Sequence, residues 1–463
     1  MTATGFLVAG AAAAAGIIGV NPNLTLGSQI FSLLLSVLLL AAVSSGFFRP
    51  KLHVHRLLPP LATVGEPLRY RLRLENRGAK FQRGLSICDE LQQSWPSSQE
   101  FRQRHDPDDR QRNPFDRAVG YPKWLWLLRQ LRGADATPQT LPDLAPGETT
   151  EINLQLVPVR RGYLRFRGYR IARPDPFGLF NAIRRLPEPA TLLVLPKRYP
   201  ISRPNLSGGR LYQPGGVTLA SSRGDAEEFM SLRDYRPGDS LRDIHWRSWA
   251  KTGKPIVKEK RPEYFTRHAL VLDTFVTVGA EALFEEAVAV AASFACTVDT
   301  QDSLLDLIFV GPQAYRFTAG RSLGGSEQLL KILACVEGNY SGKVDKLRTA
   351  VLQQVNQFSA CILVFLGWDI ARQELVRSLR QSGVQALVLV IADGVSSEST
   401  EVAELGAVIL TLGQIAEKLQ TVRWVSTGRE VVIRLISKND RKKWHFHFYW
   451  SPRLFIRKHP FYV

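Results

Sequence analysis

The first 48 residues contain no Asp, Glu, Lys or Arg, and this run constrains the fold more than any other feature of the chain. Two apolar stretches, 5–20 and 26–48, lie on either side of the uncharged turn Asn21-Pro22-Asn23. At ~1.5 Å per residue, a helix over the second stretch would span roughly 30 Å of hydrocarbon, whereas the Ala-rich first stretch, at about 24 Å, is short. Because its small residues allow close helix packing, we predict a transmembrane helical hairpin over residues 1–48.

The flanks of this hairpin predict its orientation. A cleaved secretory signal is the alternative interpretation, but no basic region precedes the first stretch. Arg49, Lys51 and Arg56 follow the second stretch, whereas the turn carries no charge, so both ends of the hairpin are expected to face the cytoplasm. We therefore predict two spans in the cell inner (plasma) membrane and a cytoplasmic soluble body.

Charge and cysteine content agree with that location. A net charge of +18, from 60 basic and 42 acidic residues, favours anionic partners such as lipid headgroups, nucleic acid or an acidic protein, without choosing among them. Four cysteines without CxxC spacing fit a reducing compartment, and we expect them to be buried thiols: Cys88, Cys296, Cys335 and Cys361.

Residues 49–198 show short alternating runs that are typical of half-buried strands. The stretch 68–75 reads LRYRLRLE, which places its apolar side chains on one face and its charges on the other. Several such runs separated by turns predict an immunoglobulin-like β-sandwich. Its insertion, 92–140, contains the tryptophan- and leucine-rich segment 121–132, which suits either a bilayer headgroup region or a helix docked on the sandwich.

Residues 199–262 contain an unusual mixture of charges. Between positions 224 and 260, seven acids face eight bases, so we expect the segment to pair with itself. Arg236-Pro237-Gly238-Asp239 predicts a tight turn, and Arg242, Asp243 and Trp246 are expected on one short helix, with Arg242 beside Trp246. No HExxH, GxSxG or P-loop pattern is present, so partner docking is favoured over catalysis. The residues assigned to docking are Glu228, Arg233, Tyr235, Arg236, Gly238, Asp239, Arg242, Asp243, His245, Trp246 and Lys251.

The charged run from Glu228 to Lys251 resembles the signature of the domain-of-unknown-function family 58. Arg161-Gly162-Tyr163 and the later Asp175-Pro176-Phe177-Gly178-Leu179-Phe180 are similar to a segment that precedes the signature in that family. The family has no established activity. Proteins that resemble it are typically encoded beside MoxR-type AAA+ ATPases, so the resemblance implies such an ATPase as a partner.

Residues 263–421 alternate continuous apolar runs with helical segments, which predicts a doubly wound, mostly parallel α/β sheet. The order resembles a von Willebrand factor A domain, whose first loop reads Asp-x-Ser-x-Ser and holds a divalent ion. Here Phe275 replaces the first Ser, so the resemblance implies only a weak, degenerate site at Asp273, Thr277 and Asp369. Mg²⁺ is the one candidate cofactor, and the favoured alternative is a structural role in which Asp273 caps a helix or accepts loop amides.

The tail, 422–463, holds ten basic residues against two acids and is interleaved with aromatics. This composition suits membrane lipids or single-stranded nucleic acid, and the adjacent hairpin favours lipid. We therefore predict a membrane-anchored interaction protein without enzymatic activity of its own. The alternatives are a metal-dependent hydrolase and a membrane-tethered nucleic-acid binder.

Overall fold

The computed structural model describes residues 1–20, 25–92, 95–103, 112–202, 227–262, 266–298, 303–320, 325–393, 405–427 and 430–435. The chain divides into two compact units. The first comprises Met1–Lys197 together with Thr277–Gly279 and Gln328–Glu337, and the second comprises Arg198–Val276, Ala280–Glu327 and Gly338–Val463.

The chain begins with two apolar helices, α1 (Ala3–Ile18) and α2 (Thr25–Gly46). They pack closely because small residues face the contact: a Cβ on Gly16 would lie 3.1 Å from the Phe31 ring, and one on Gly19 would lie 2.8 Å from the Ser28 nitrogen. The prediction of an N-terminal apolar helix is confirmed. Among the described residues, the segment Leu26–Gly46 is the one helix long and apolar enough to cross a membrane, since α1 is shorter. The predicted turn at 21–23 lies outside the described residues.

A two-sheet β-sandwich follows. One sheet has the strand order β1-β3-β7-β5 and the other β2-β9-β8-β4-β6. The strands are β1 (Leu52–Leu57), β2 (Leu61–Thr63), β3 (Leu68–Asn76), β4 (Ser86–Leu91), β5 (Ala134–Ala136), β6 (Gln139–Thr140), β7 (Thr149–Pro158), β8 (Gly162–Pro174) and β9 (Asn181–Leu195). The alternation read from 68–75 is present in β3, where Leu72 and Leu74 are fully buried in the core and the alternating Arg71 and Arg73 are exposed.

A charged side chain occupies the core of the sandwich. Arg56 was predicted to flank the membrane segment, and this is wrong: it is 7 % exposed and pairs with Asp89 at 2.9 Å. Its Nε donates to the Tyr169 hydroxyl at 2.6 Å, and the Tyr70 hydroxyl donates to the other oxygen of Asp89. Burial raises the pKa of the Asp89 carboxyl, and the bonds from Tyr70 and Arg56 oppose that shift. The polar groups in this core are thus satisfied by one another.

The insertion contains three helices, α3 (Ser98–Gln103), α4 (Pro114–Val119) and α5 (Tyr121–Leu131). In α5, Leu127 is fully buried, and Trp124 packs against the rings of Trp95 and Phe101 at centroid distances of 6.5 and 6.1 Å. These contacts favour a docked helix over one that presents its aromatic face to lipid.

The second unit starts, among its described elements, with the antiparallel pair β10 (Glu227–Asp234) and β11 (Ile256–Pro262), which enclose the short helix α6 (Trp246–Thr252). A six-stranded sheet follows, with the order β14-β13-β12-β15-β16-β17. Its strands are β12 (Thr266–Leu272), β13 (Ser303–Val310), β14 (Ala314–Ala319), β15 (Ala360–Phe365), β16 (Gln385–Ala392) and β17 (Ala407–Thr411). The remaining helices are α7 (Glu281–Thr297), α8 (Ser326–Cys335), α9 (Val344–Leu352), α10 (Ile370–Gln381) and α11 (Ile415–Thr421). Of these, α8 belongs to the first unit from Gln328 onward.

The sheet is parallel except for its edge strand β14. Strands β12 and β15 are neighbours although they are not consecutive, so the strand order reverses between them. Loops that follow two such strands diverge and leave a crevice at the carboxyl ends. After the sheet, β18 (Val422–Thr427) pairs with β19 (Glu430–Leu435) in an antiparallel hairpin.

The cysteines differ from the prediction of four buried thiols. Cys361 is buried in β15, Cys88 is half-buried, and Cys296 and Cys335 are exposed. The two exposed thiols lie in the last turns of α7 and α8, where an apolar residue type does not by itself indicate which face it occupies. Burial raises the pKa of the Cys361 thiol.

Candidate functional site

The charged hairpin, residues 227–262, is a two-stranded ribbon whose connection folds back on its own strands. Pairing runs from Glu227 opposite Pro262 to Asp234 opposite Ile256. Within the connection, the His245 amide donates to the Ile256 carbonyl at 2.8 Å, and the buried Ile244 bridges to Val257. The loop is therefore fixed to the ribbon at its middle as well as at its ends.

A bidentate ion pair fixes the turn of this hairpin. The two terminal nitrogens of Arg233 donate to the two oxygens of Asp239, each at 2.7 Å, and the Arg236 amide donates to Asp239 at 2.8 Å. The bond from Arg233, followed by the one from Arg236, lowers the pKa of Asp239 to about 2. The Asp239 amide closes the turn on the Arg236 carbonyl, and Gly238 takes φ 108°, which favours glycine. Because its carboxylate is so weakly basic, Asp239 is suited to holding the turn and unsuited to proton abstraction near neutral pH.

The predicted single helix through Arg242, Asp243 and Trp246 is wrong. A 3₁₀ turn over Leu241–Asp243 ends at Ile244, whose ψ of 127° is extended, and α6 starts at Trp246. Trp246 stacks on Trp249, with ring centroids 5.2 Å apart. The bond from the His245 amide to β11 breaks the helix between the two segments.

The hairpin presents apolar side chains among cations. Leu241 is 68 % exposed and Trp246 is 64 % exposed. The exposed cations of the same connection are Arg236, Arg242, Arg247, Lys251 and Lys254. Tyr235 and His245 are half-buried, and the Nδ1 atom of His245 lies 2.6 Å from the Ser248 hydroxyl. The side chain of Glu228 lies outside the described residues. Tryptophan and arginine are both enriched in surfaces that bind other proteins, whereas lysine is depleted there.

The crevice of the six-stranded sheet is occupied by an arginine. Arg372 of α10 donates from Nε and a terminal nitrogen to one oxygen of Asp273, at 2.7 and 2.6 Å, and from its other terminal nitrogen to Asp369 at 2.6 Å. The second oxygen of Asp273 accepts the Phe275 amide, and Asp369 also accepts the Arg372 amide at the start of α10. Asp273 is fully buried, whereas Thr277 is exposed.

These residues do not fit a divalent ion. A hard cation needs several free oxygens, and both carboxylates already receive a guanidinium and backbone amides. Arg372 places a positive charge between Asp273 and Asp369, where a metal would otherwise sit. Sequence reasoning missed Arg372, although its position three residues after Asp369 at the start of a predicted helix was a usable signal.

The segment 175–180 forms the loop between β8 and β9. Asp175 is 7 % exposed and accepts the amides of Phe177 and Phe180 at 3.0 and 2.6 Å, which shapes the loop, while Gly178 takes φ 68°. Pro176 and Phe177 lie exposed at its tip. The loop carbonyls then hold the start of α1: the Thr2 hydroxyl donates to Gly178 at 2.7 Å and the Thr2 amide donates to Leu179 at 2.9 Å. This motif therefore attaches the first helix to the sandwich.

The other upstream motif lies at the opposite end of β8. Arg161 donates to the Val336 carbonyl at 2.6 Å within the first unit, and Gly162 takes φ 99° where the chain reverses into the strand. The two motifs are thus separated by the length of β8.

Apolar N-terminal helices, a β-sandwich and a mostly parallel α/β sheet preceded by a charged hairpin define a modular protein with a membrane-type N terminus. Residues 231–438 match the family described as "Protein of unknown function DUF58". The chain therefore carries a domain of that family, as its signature predicted. The upstream motifs at 161–180 lie outside the matched segment.

Other comparisons are distant. No curated protein matches the sequence. Among solved structures, the chain is similar to the CARDB domain of a Pyrococcus furiosus protein in complex with di-metal ions, at 13 % identity over 32 % of this chain and 89 % of that one, with a TM-score of 0.18. It is also similar to red sea bream transglutaminase, at 16 % identity over 32 % of this chain and 15 % of that one, with a TM-score of 0.17. At these TM-scores the likenesses carry no argument about fold or function.

Proposed function

We propose that this chain is a membrane-anchored interaction protein whose charged hairpin docks a protein partner. The observation that carries the proposal is the exposure of Leu241 and Trp246 among cations, on a loop held rigid by Arg233 and Asp239. Such a surface is complementary to an apolar pocket with an acidic rim. The family resemblance implies a MoxR-type AAA+ ATPase as that partner, acting in the assembly or maturation of protein complexes.

The anchor in this proposal is a two-span helical hairpin. Support comes from the sandwich end that receives both termini of the helix pair: Thr2 is bonded to the 175–180 loop, and Arg184 of the adjoining β9 donates to the Phe48 carbonyl at 2.7 Å and to Gly46 at 3.4 Å. The start of α1 and the end of α2 therefore lie at the same end of the sandwich, which for a hairpin is the same side of the membrane. The exposed cations Arg49 and Lys51 favour the cytoplasm for that side, even with Arg56 withdrawn into the core.

The α/β sheet is, in this proposal, a degenerate von Willebrand factor A-like domain that has lost metal dependence. The strand order with one antiparallel edge supports the likeness to a von Willebrand factor A domain. The contacts of Arg372 with both carboxylates support the loss of metal dependence. The same contacts weigh against a metal-dependent hydrolase, because an internal cation now balances Asp273 and Asp369.

The test is affinity isolation of the tagged full chain from detergent-solubilised membranes, with mass spectrometry of the ATPases that copurify. Trp246→Ala combined with Arg242→Ala removes an apolar contact and a cation, and we expect it to abolish capture of the AAA+ ATPase. Phe115→Ala is the matched control, since Phe115 is 75 % exposed on the insertion, and it should retain capture. Equal ATPase recovery with the wild type and both variants would contradict the proposal.

Two further variants distinguish residues that contact the partner from residues that hold the loop in its conformation. Asp239→Ala removes the acceptor of Arg233 and of the Arg236 amide, so we expect a loosened turn, faster proteolysis between 235 and 255, and reduced capture. Arg236→Ala removes only an exposed guanidinium and keeps the amide bond, so it should leave proteolysis unchanged. Equal proteolysis of both variants would show that the Arg233–Asp239 pair does not fix the loop.

A further inference from the structure

The sandwich contains a basic cavity that plays no part in the docking proposed for the charged hairpin. Its volume is about 270 Å³, and it lies between the end of α5 and the start of β8. Eight described residues line it, and three of them are arginines: Gln92, Leu131, Gly133, Arg160, Arg161, Tyr163, Leu164 and Arg165. Among the described residues that line it, none is acidic. All of them belong to the first unit.

Local structure explains why the arginines converge. The amides of Val159 and Arg160 donate to the Gly133 carbonyl at 3.0 and 3.4 Å, which ties the β7–β8 turn to the residues after α5. A Cβ at position 133 would lie 2.6 Å from the Leu164 side chain, so a residue larger than glycine would displace that side chain. Tyr163 and Arg165, two residues apart on β8, share the exposed face, while Leu164 points into the core.

The electrostatics favour an anion. Three positive charges around one concave site repel one another, and a bound anion relieves that repulsion. Guanidinium groups match phosphate and carboxylate oxygens in bidentate geometry, and they bind phosphate in a planar fork that lysine cannot offer. The volume lies just below the roughly 300–1,000 Å³ typical of drug-sized ligands, which indicates a small ligand.

The position of the cavity indicates where the anion comes from. β8 has 13 residues, and its far end leads into the 175–180 loop that holds α1. At ~3.3 Å per residue the strand separates the two ends by on the order of 40 Å. The cavity is therefore remote from the helices, so the aqueous phase can supply its ligand more readily than a lipid headgroup can.

We propose that this cavity binds a small, water-soluble phosphate monoester. The guanidinium groups of Arg160 and Arg165 hold the phosphate, Arg161 completes the positive wall, and Tyr163 with Leu131 contacts the organic part. The site is independent of the docking hairpin, so ATPase capture and anion binding fail or succeed separately.

The experiment is calorimetric titration of the full chain in neutral detergent with phenyl phosphate and with inorganic phosphate. We expect phenyl phosphate to bind more tightly than inorganic phosphate, because only the former contacts Tyr163 and Leu131. The double variant Arg160→Gln with Arg165→Gln should weaken phenyl phosphate binding at least tenfold. Arg167→Gln is the matched control, since Arg167 is exposed on the same strand outside the cavity, and it should bind as the wild type does.

Three outcomes would overturn the proposal. The first is no heat of binding for phenyl phosphate at millimolar concentration with the wild type. The second is an equal loss in Arg167→Gln, which would show only nonspecific attraction to a basic surface. The third is cosedimentation with phosphatidylglycerol vesicles that depends on Arg160 and Arg165 without any response to phenyl phosphate, which would assign the site to lipid.

Discussion

At the scale of single residues, the crevice of the α/β sheet is organised by one arginine, since Arg372 pairs with both Asp273 and Asp369. Asp273 is fully buried, where an unpaired carboxylate would carry a large desolvation cost. Arg372 provides that partner and is itself 7 % exposed. The pair is thus a structural element whose loss leaves a buried charge uncompensated.

We expect Arg372→Ala to lower the free energy of unfolding by about 3–5 kcal/mol, because removal of one member of a buried ion pair strands the other. Denaturant unfolding of the full chain in detergent measures this loss. Combining Arg372→Met with Asp273→Asn should cost less than the sum of the two single changes, since no charge remains buried. A loss below about 1 kcal/mol for Arg372→Ala would show that Asp273 finds water or another partner.

His268 in β12 gives a second prediction at this scale. Burial lowers the pKa of its ring to about 4 from 6.5, so the folded protein holds it neutral. The unfolded chain takes up a proton at pH 6.5, and stability is therefore full above that pH and falls as the pH drops towards 4. The expected loss is about 3 kcal/mol. Unfolding of wild type and His268→Gln across pH 4–7 should give curves that diverge below pH 6.5, and parallel curves would contradict the assignment.

At the scale of elements, the sequence predicts strands whose burial pattern repeats among neighbouring residues. It misses contacts between residues that are far apart in the sequence. The alternation in β3 and the continuous apolar runs of β12, β15 and β16 could be predicted from the sequence, because each pattern is formed by residues that are neighbours in sequence. Arg56 was misplaced because its partner Asp89 lies 33 positions away, which no local pattern reveals. The helix break before Trp246 depends on a bond to β11, again outside any local window.

The contact between α1 and the 175–180 loop is an element-scale feature that a matched pair of substitutions can test. A Cβ on Gly5 would lie 2.2 Å from the Leu179 carbonyl oxygen, whereas one on Gly10 of the same helix meets nothing within 4 Å. We expect Gly5→Val to displace α1 from the loop and lower stability by about 1–3 kcal/mol, as overpacking does. Gly10→Val should be close to neutral.

Thermal unfolding of the detergent-solubilised chain compares the two variants, and limited proteolysis reports whether the N terminus is released. Release only in Gly5→Val would support the attachment of α1 through Thr2 and Leu179. Equal stability of Gly5→Val and Gly10→Val would show that the loop does not hold the helix.

At the scale of the whole molecule, the proposed N-terminal helical hairpin would determine which compartment contains the rest of the chain. The described structure provides one helix of sufficient length, and the second span rests on close packing of α1 and on the shared attachment of both helix ends to the sandwich. Residue 21 lies across the membrane from the body in both cases. Residue 3 lies across the membrane from the body with a single span through α2 and on the side of the body with a hairpin, so thiol labelling at residue 3 distinguishes them.

The exposed Cys296 and Cys335 report the side of the soluble body, and the buried Cys361 is an internal control that should react only after denaturation. With a membrane-impermeant maleimide, the proposed cytoplasmic location of the body predicts that Cys296 and Cys335 are labelled in inverted inner-membrane vesicles and protected in intact spheroplasts. In a Cys296→Ser, Cys335→Ser background, Ala3→Cys should show the pattern of Cys296, since a hairpin returns the start of α1 to the side of the body. Labelling of Ala3→Cys from the side opposite to Cys296 would reduce the anchor to one span, and labelling of Cys296 in spheroplasts would place the body, with its charged hairpin, beyond the reach of a cytoplasmic ATPase.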